Sequence, residues 1–229
     1  TTRNVKVQVS DGWGGVTTSS TVVLTVNNVA PTASITGPAT FVRGETQTFT
    51  LGAVDPATPD QTAGFTFAID WDGDGITDQS LFGPSGSTVT HRFTVSATYP
   101  IKVKATDKDG GQSAIFTLNQ VVTDYALRPN GGVTDLVWGS ITDGGFFGFD
   151  QVSPGTIRIL DWSQGNGPFT PDDINLAFVS GVTGAVRAYG WEGNDFLMFQ
   201  GVNSVYCDAG SNDDWVGITL QTNASTTLV

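Results

Sequence analysis

Val5, Val7 and Val9 alternate with Lys6, Gln8 and Ser10, the period-two pattern of a strand with one face buried. An Asp11-Gly12 turn follows, and a return strand reads VLTVNN over Val23 to Asn28. The pattern recurs. Ile101 to Gly111 (IKVKATDKDGG) repeats Val5 to Gly15 (VKVQVSDGWGG) at an offset of 96, and IFTLNQ over Ile115 to Gln120 repeats the return strand at an offset of 92, so the first hairpin loop is four residues longer. The second copy closes a longer run of strands, whereas the first stands as a hairpin alone. The expectation is a stretch of a tandem β-domain array, with residues 1–28 the terminal hairpin of an incomplete domain.

Val29-Ala30-Pro31 reads as a short linker, because proline cannot join a ladder and holds the residue before it extended. Strands are predicted at Thr32 to Thr36, at Gln47 to Ala53 with Phe49 and Leu51 inward, at Phe65 to Ile69, at Val89 to Phe93 and at the two repeat strands. Gly37-Pro38, Asp55-Pro56 and Pro59-Asp60 punctuate them at the spacing of a β-sandwich. Ala57 to Gly64 reads as an insertion. The predicted organisation is therefore all-β: a terminal hairpin over 1–28, a sandwich over 29–123, and a second all-β domain over 124–229.

Three segments carry a family resemblance: Ala30 to Pro38 (APTASITGP), Phe65 to Gly75 (FTFAIDWDGDG) and His91 to Gly111 (HRFTVSATYPIKVKATDKDGG). Together they resemble the polycystic kidney disease (PKD) type of immunoglobulin-like domain, over about 30–123, with residues 1–28 similar to its ending alone. The resemblance implies a tandem immunoglobulin-like sandwich and a module of extracellular chains. Pro100 stands where that family usually has another residue.

Beyond Asp124 the repeat stops. Lysine disappears after Lys108, while glycine and aromatic residues become denser. Alternating pieces at Val133 to Trp138, Thr156 to Leu160, Ala185 to Tyr189, Phe196 to Phe199 and Trp215 to Thr219 predict strands. Thr170-Pro171-Asp172-Asp173 predicts one helix start. No family is recognised for this region. Gly190 to Leu197 and Ala209 to Val216 loosely echo the glycine-rich calcium repeat of β-rolls, with Asp195 and Asp214 one roll turn apart. Two copies fall short of the three that such a stack needs, so both read as hairpin turns.

The chemistry narrows the function classes. Among 229 residues, 22 acidic against 10 basic give a net charge of −12, which argues against nucleic acid, whose phosphates need basic clusters. No run approaches the ~20 apolar residues of a membrane span. The single cysteine, Cys207, forms no internal disulfide and reads as a buried small hydrophobe. His91, the lone histidine, sits within an alternating strand, and no nucleophile, zinc or phosphate-loop motif is present; the expectation is a protein that is not an enzyme.

The sharpest constellation is Asp70-Trp71-Asp72-Gly73-Asp74-Gly75-Ile76-Thr77-Asp78. Asp70, Asp72, Asp74 and Asp78 with the Ile76 carbonyl have the ligand spacing of a calcium loop, though Leu81 replaces the usual twelfth-position glutamate. Two readings stay open: a calcium site, or a polar turn that belongs to the sandwich with or without metal. Asp107 and Asp109 read as residues that stabilise their own turn, with calcium bridging between successive domains the competing reading. Trp138, Trp162, Trp191 and Trp215 are candidates for stacking on sugar rings, Trp191 and Trp215 foremost, with core packing the competing reading. Asn223-Ala224-Ser225 fits the N-glycosylation pattern.

These features predict a non-catalytic extracellular or cell-surface module, bacterial in type: a segment or subunit of a long stalk or fibre-forming protein. Its partners would be neighbouring β-domains or identical subunits joined by strand complementation. The alternative is a set of accessory, polysaccharide-binding spacer domains beside a secreted hydrolase.

Overall fold

The computed structural model describes residues 2–139, 146–161, 174–190 and 194–228. The chain clusters into two compact units, one made of Thr1–Ile35, Leu51–Ser87 and Lys102–Thr117, the other of Thr36–Thr50, Thr88–Ile101 and Leu118–Val229.

The N-terminal hairpin is built of β1 (Thr2–Val5), β2 (Gln8–Ser10), β3 (Val16–Thr18) and β4 (Val22–Thr25). β1 pairs with β4 and β2 with β3, both antiparallel. The turn is held by Asp11, whose Oδ1 accepts the Trp13 and Gly15 amides at 2.8 and 2.9 Å.

Next come β5 (Thr32–Thr36), β6 (Thr40–Val42), β7 (Thr46–Val54), α1 (Thr58–Ala63), β8 (Phe65–Asp70), β9 (Gln79–Gly83), β10 (Thr88–Arg92), β11 (Ala97–Thr106) and β12 (Phe116–Thr123). They form a three-stranded sheet β10-β7-β5 and a five-stranded sheet β6-β12-β11-β8-β9, an immunoglobulin-like sandwich. The predicted alternation is realised: Phe49, Leu51 and Ala53 on β7, Phe65, Phe67 and Ile69 on β8, and Ile101, Val103 and Ala105 on β11 are buried. β6 joins β12 in parallel, Phe41 opposite Val122. The stretch read as an insertion is the six-residue helix α1, with Pro59 in its first turn, where a missing N–H costs nothing.

The rest of the chain consists of β13 (Tyr125–Asn130), β14 (Val133–Gly139), β15 (Phe146–Ser153), β16 (Thr156–Asp161), β17 (Ile174–Ser180), β18 (Val186–Tyr189), β19 (Phe196–Asp208) and β20 (Trp215–Leu228). Their order is β13-β14-β18-β19-β15-β16-β17, with β20 on β19. Trp138, Phe147, Phe149 and Phe199 anchor the core, and Phe149 stacks on Phe199 with ring centroids 5.0 Å apart. The expected helix start at Thr170 to Asp173 lies outside the described residues.

The hairpin-turn reading of the two glycine-rich segments is corrected. β18, β19 and β20 run parallel, with Ala188 beside Cys207 and Cys207 beside Leu228. Phe196 lies beside Trp215, and the Asp195 amide donates to Asp214 Oδ1 at 2.9 Å, one 19-residue period away. Parallel neighbours require a crossover of a dozen or more residues, and the 19-residue period supplies it. The shortage of repeats is made good by β14 and β15, which extend the parallel stack without sharing its sequence pattern.

Within the second unit β6 is tied to β13 and β14. Arg43, buried, donates from Nε to the Gly139 carbonyl at 3.0 Å and pairs with Asp124 at 3.2 Å. Arg128 makes a two-pronged contact with Glu45 at 2.7 and 2.6 Å. A Cβ at Gly139 would lie 2.2 Å from the Arg43 carbonyl oxygen, so glycine is what lets these backbones meet.

Candidate metal centre

The Asp70–Asp78 loop follows β8 and turns back into β9. Asp70, buried at the strand end, accepts the Gly73 amide on Oδ1 at 2.6 Å and the Gly75 amide on Oδ2 at 2.8 Å. Lys102, from β11, stands 3.6 Å from Asp70 Oδ2 and donates to the Gly73 carbonyl. Asp72 accepts the Asp74 amide, Asp74 the Ile76 amide and Asp78 the Trp71 amide. Burial pushes the Asp70 carboxyl up, but the two amides and the Lys102 ammonium outweigh it and hold the group below its ordinary value. Asp70, Asp72 and Asp78 bring oxygens within 4.8 Å of one another. Asp74 is not in that group, and the Ile76 side chain is exposed. The carboxylates thus hold the turn through its own amides, and the Lys102 ammonium supplies a positive charge beside Asp70.

A second group of carboxylates, Asp55, Asp60 and Asp107, also gathers within 4.8 Å, and all three are buried. Among the described residues these are the two groups of three or more acidic, histidine or cysteine side chains so arranged. Asp55 follows the end of β7, Asp60 lies on α1, and Asp107 opens the turn after β11. Asp55 Oδ1 accepts the Ala57 amide at 2.8 Å, while Oδ2 is buried without a hydrogen-bond partner. Asp107 Oδ1 accepts the Asp109 and Gly111 amides, and Oδ2 accepts the Asn28 side-chain amide at 2.8 Å. Burial opposes ionisation of Asp107, but Asn28 and the turn amides prevail and its pKa is lowered. The Lys108 ammonium lies 2.8 Å from Asp60 Oδ1 and also pairs with Asp109.

Three buried carboxylates thus face one ammonium, which Asp109 shares. Buried charge of that kind is costly unless balanced, and an all-oxygen donor set suits a hard divalent cation. Sequence reading missed this group because its members are far apart along the chain. Asp55-Pro56 reads as punctuation, and Asp107 as a turn residue, a role it does fill. The available signals were the competing calcium reading of Asp107 and the acidic Asp60 within the segment read as an insertion.

The remaining candidates separate. Trp138 is fully buried and packs on Phe147 at 4.4 Å, so it belongs to the core. Trp215 is 48% exposed and stacks face to face on Phe196, centroids 4.0 Å and planes 6° apart. Trp162 and Trp191 lie outside the described residues. Asn223 lies on β20, its side chain also outside them. His91 packs edge-on against Phe93 at 4.4 Å. Cys207 is buried, and desolvation raises its thiol to about 12, as expected of a small core hydrophobe. Among the described residues no helix is long and apolar enough to cross a membrane.

No family model matches the chain, and no curated protein does. Among solved structures it is similar to the PKD domain of an M14-like peptidase from a Thermoplasmatales archaeon, at 29% identity over 42% of this chain and 99% of that one, TM-score 0.36. It is also similar to the fibronectin(III)-like modules of Clostridium thermocellum CbhA, at 24% identity over 54% of this chain and 63% of that one, TM-score 0.34. A third likeness is to the first three fibronectin domains of chicken contactin-1, at 11% identity, 77% and 67% coverage and TM-score 0.29. The segment over about 30–123 is an immunoglobulin-like β-sandwich, in a chain that is nearly all β among the described residues, and it is similar to a PKD domain.

Proposed function

We propose that this chain is a non-catalytic spacer module of a secreted or cell-surface protein, a segment of a long stalk or fibre, in which calcium fixes the sandwich through Asp55, Asp60 and Asp107. The observation that carries the reading is the buried cluster itself, with Asp55 Oδ2 unpartnered inside it. Calcium is abundant outside cells, and an Asp-rich chain with few lysines suits that setting. The hairpin before the sandwich reaches the cluster through Asn28, so a cation there would stiffen the joint between successive units, as a spacer requires. The Asp70–Asp78 loop is a weaker claimant, since its own amides and Lys102 already serve its carboxylates.

The test is thermal melting of the full chain in calcium and in chelator. Calcium at a hundredfold excess over Kd adds about 2.7 kcal/mol, a rise in Tm of roughly 10–20 °C for a domain of the sandwich's size. Asp55→Asn should abolish the rise, while Asp72→Asn should leave it intact. A midpoint indifferent to calcium removes the metal and leaves the spacer reading to stand on architecture alone.

A second reading, a polysaccharide-binding accessory domain, is favoured by Trp215, whose ring is backed by Phe196 and half-exposed. Stacking of this kind is how flat aromatic faces hold sugar rings. Binding of soluble glycans by the intact chain, lost in Trp215→Ala, would support it; an unmodified protein that binds none of them rules it out.

A further inference from the structure

The two copies of the repeat are alike in their turns and opposite in their burial. Asp11 Oδ1 accepts the Trp13 and Gly15 amides at 2.8 and 2.9 Å, and Asp107 Oδ1 accepts the matching Asp109 and Gly111 amides at 2.9 and 2.8 Å. The return strands agree on their outward face, where Val23 and its counterpart Ile115 are each 60% exposed. The inward faces differ. Ile101, Val103 and Ala105 are at most 1% exposed, whereas their counterparts Val5, Val7 and Val9 are 41, 60 and 64% exposed.

The second copy also shows what fills the seat around its turn. Asp107 Oδ2 receives the Asn28 side-chain amide, and a Cβ at Gly111 would fall 2.5 Å from Asn28 Nδ2 and 3.3 Å from the Ala30 Cα. A Cβ there would also meet Asp107 Oδ2 at 2.4 Å, as one at Gly15 would meet Asp11 Oδ2 at 2.4 Å, so glycine closes the turn in both copies and at Gly111 also leaves room for the entering linker. Gly15 keeps glycine at the same place, and Val5, Val7 and Val9 keep the apolar face that a sandwich covers at Ile101, Val103 and Ala105. A row of exposed valines on one strand face is costly in water, and the repeat says which surface removes that cost.

We infer that the N-terminal hairpin is a docking surface for a PKD-like sandwich of the kind formed by residues 30–93. The valine face packs on its inner strands, and an entering linker of the Asn28-Val29-Ala30-Pro31 type seats at Asp11 and Gly15. The hairpin is thereby the joint through which units of this kind follow one another. This rests on the spacer reading and names its partner.

The test places residues 27–96 of this protein directly before Thr1 of the full chain, the position that the offset of 96 dictates. Hydrogen exchange is read on the Val5–Ser10 and Val22–Val26 amides. In the extended chain these amides should exchange about 100-fold more slowly or less still than in the present one, as for strands taken into a cooperative unit. Val7→Asp should be silent in the present chain and should abolish the added protection in the extended one. A control in which the same extension precedes residues 97–119 in place of 1–27 shows that the added strands can fold. With that control folded, a hairpin that exchanges equally fast in both chains, or a Val7→Asp without effect in either, overturns the inference. Such a failure leaves the calcium-dependent melting of the sandwich untouched, so the spacer reading is judged separately.

Discussion

At Asp135 a carboxylate only 2% exposed accepts the Ala185 amide at 2.8 Å and the Asn130 side chain at 2.9 Å, and pairs with Arg187. Burial pushes its pKa up, but the Arg187, Ala185 and Asn130 bonds together pull it below the ordinary 3.8. A depressed carboxylate contributes stability in full above its unfolded value, and that contribution is lost as pH falls through the lower folded value. Denaturant midpoints measured from pH 6 to pH 2 should therefore hold level to about pH 4 and then fall, with a shallower fall in Asp135→Asn. An equal slope in both proteins contradicts this. Asp135→Ala at pH 7 should cost about 3–5 kcal/mol, the range for breaking a buried pair, because it strands Arg187 and the Ala185 amide. The acidic residues also show what is legible one residue at a time. The spacing of Asp70, Asp72 and Asp78 is visible in the sequence, and three of the four expected side chains do gather. That Lys102 comes alongside from another strand is not visible, because its nearness is created by the pairing of β11 with β8, Lys102 opposite Asp70.

At the scale of elements, alternation located the strands well wherever one face is buried and the other wet. β7, β8 and β11 follow their predicted runs within a residue or a few. The helix α1 escaped because six residues are too few to show a 3.6-residue period, and its capping position, Ala57, offers no side-chain cap. The parallel stack of β18, β19 and β20 escaped for another reason. Two copies of a 19-residue period give too little sequence signal, and the strands that complete the stack, β14 and β15, lie outside the repeat. Trp138 illustrates the same limit: a tryptophan in a strand reads equally as platform or core, and only its neighbours Phe147 and Phe149 decide.

Across the whole molecule, the second unit includes strands from the sandwich as well as residues 118–229, and Arg43, Glu45, Gly139 and Arg128 show how it holds together. Glu45→Ala removes a partly buried two-pronged partner and should cost about 1–3 kcal/mol, more than the 0–1 kcal/mol of an exposed pair. Calorimetry should show it broadening or splitting the transition in which β6 and the β13–β14 hairpin unfold together; an unaltered single transition would show that the pair does not couple them. By itself the sequence determined the all-β character, the duplicated hairpin and its turn chemistry, because period-two alternation and Asp-Gly turns act within a few neighbouring residues. Only the tertiary structure decided which carboxylates meet, which tryptophan is buried and which valine face stays bare. Those outcomes depend on contacts between residues distant in the chain, and no local pattern encodes them.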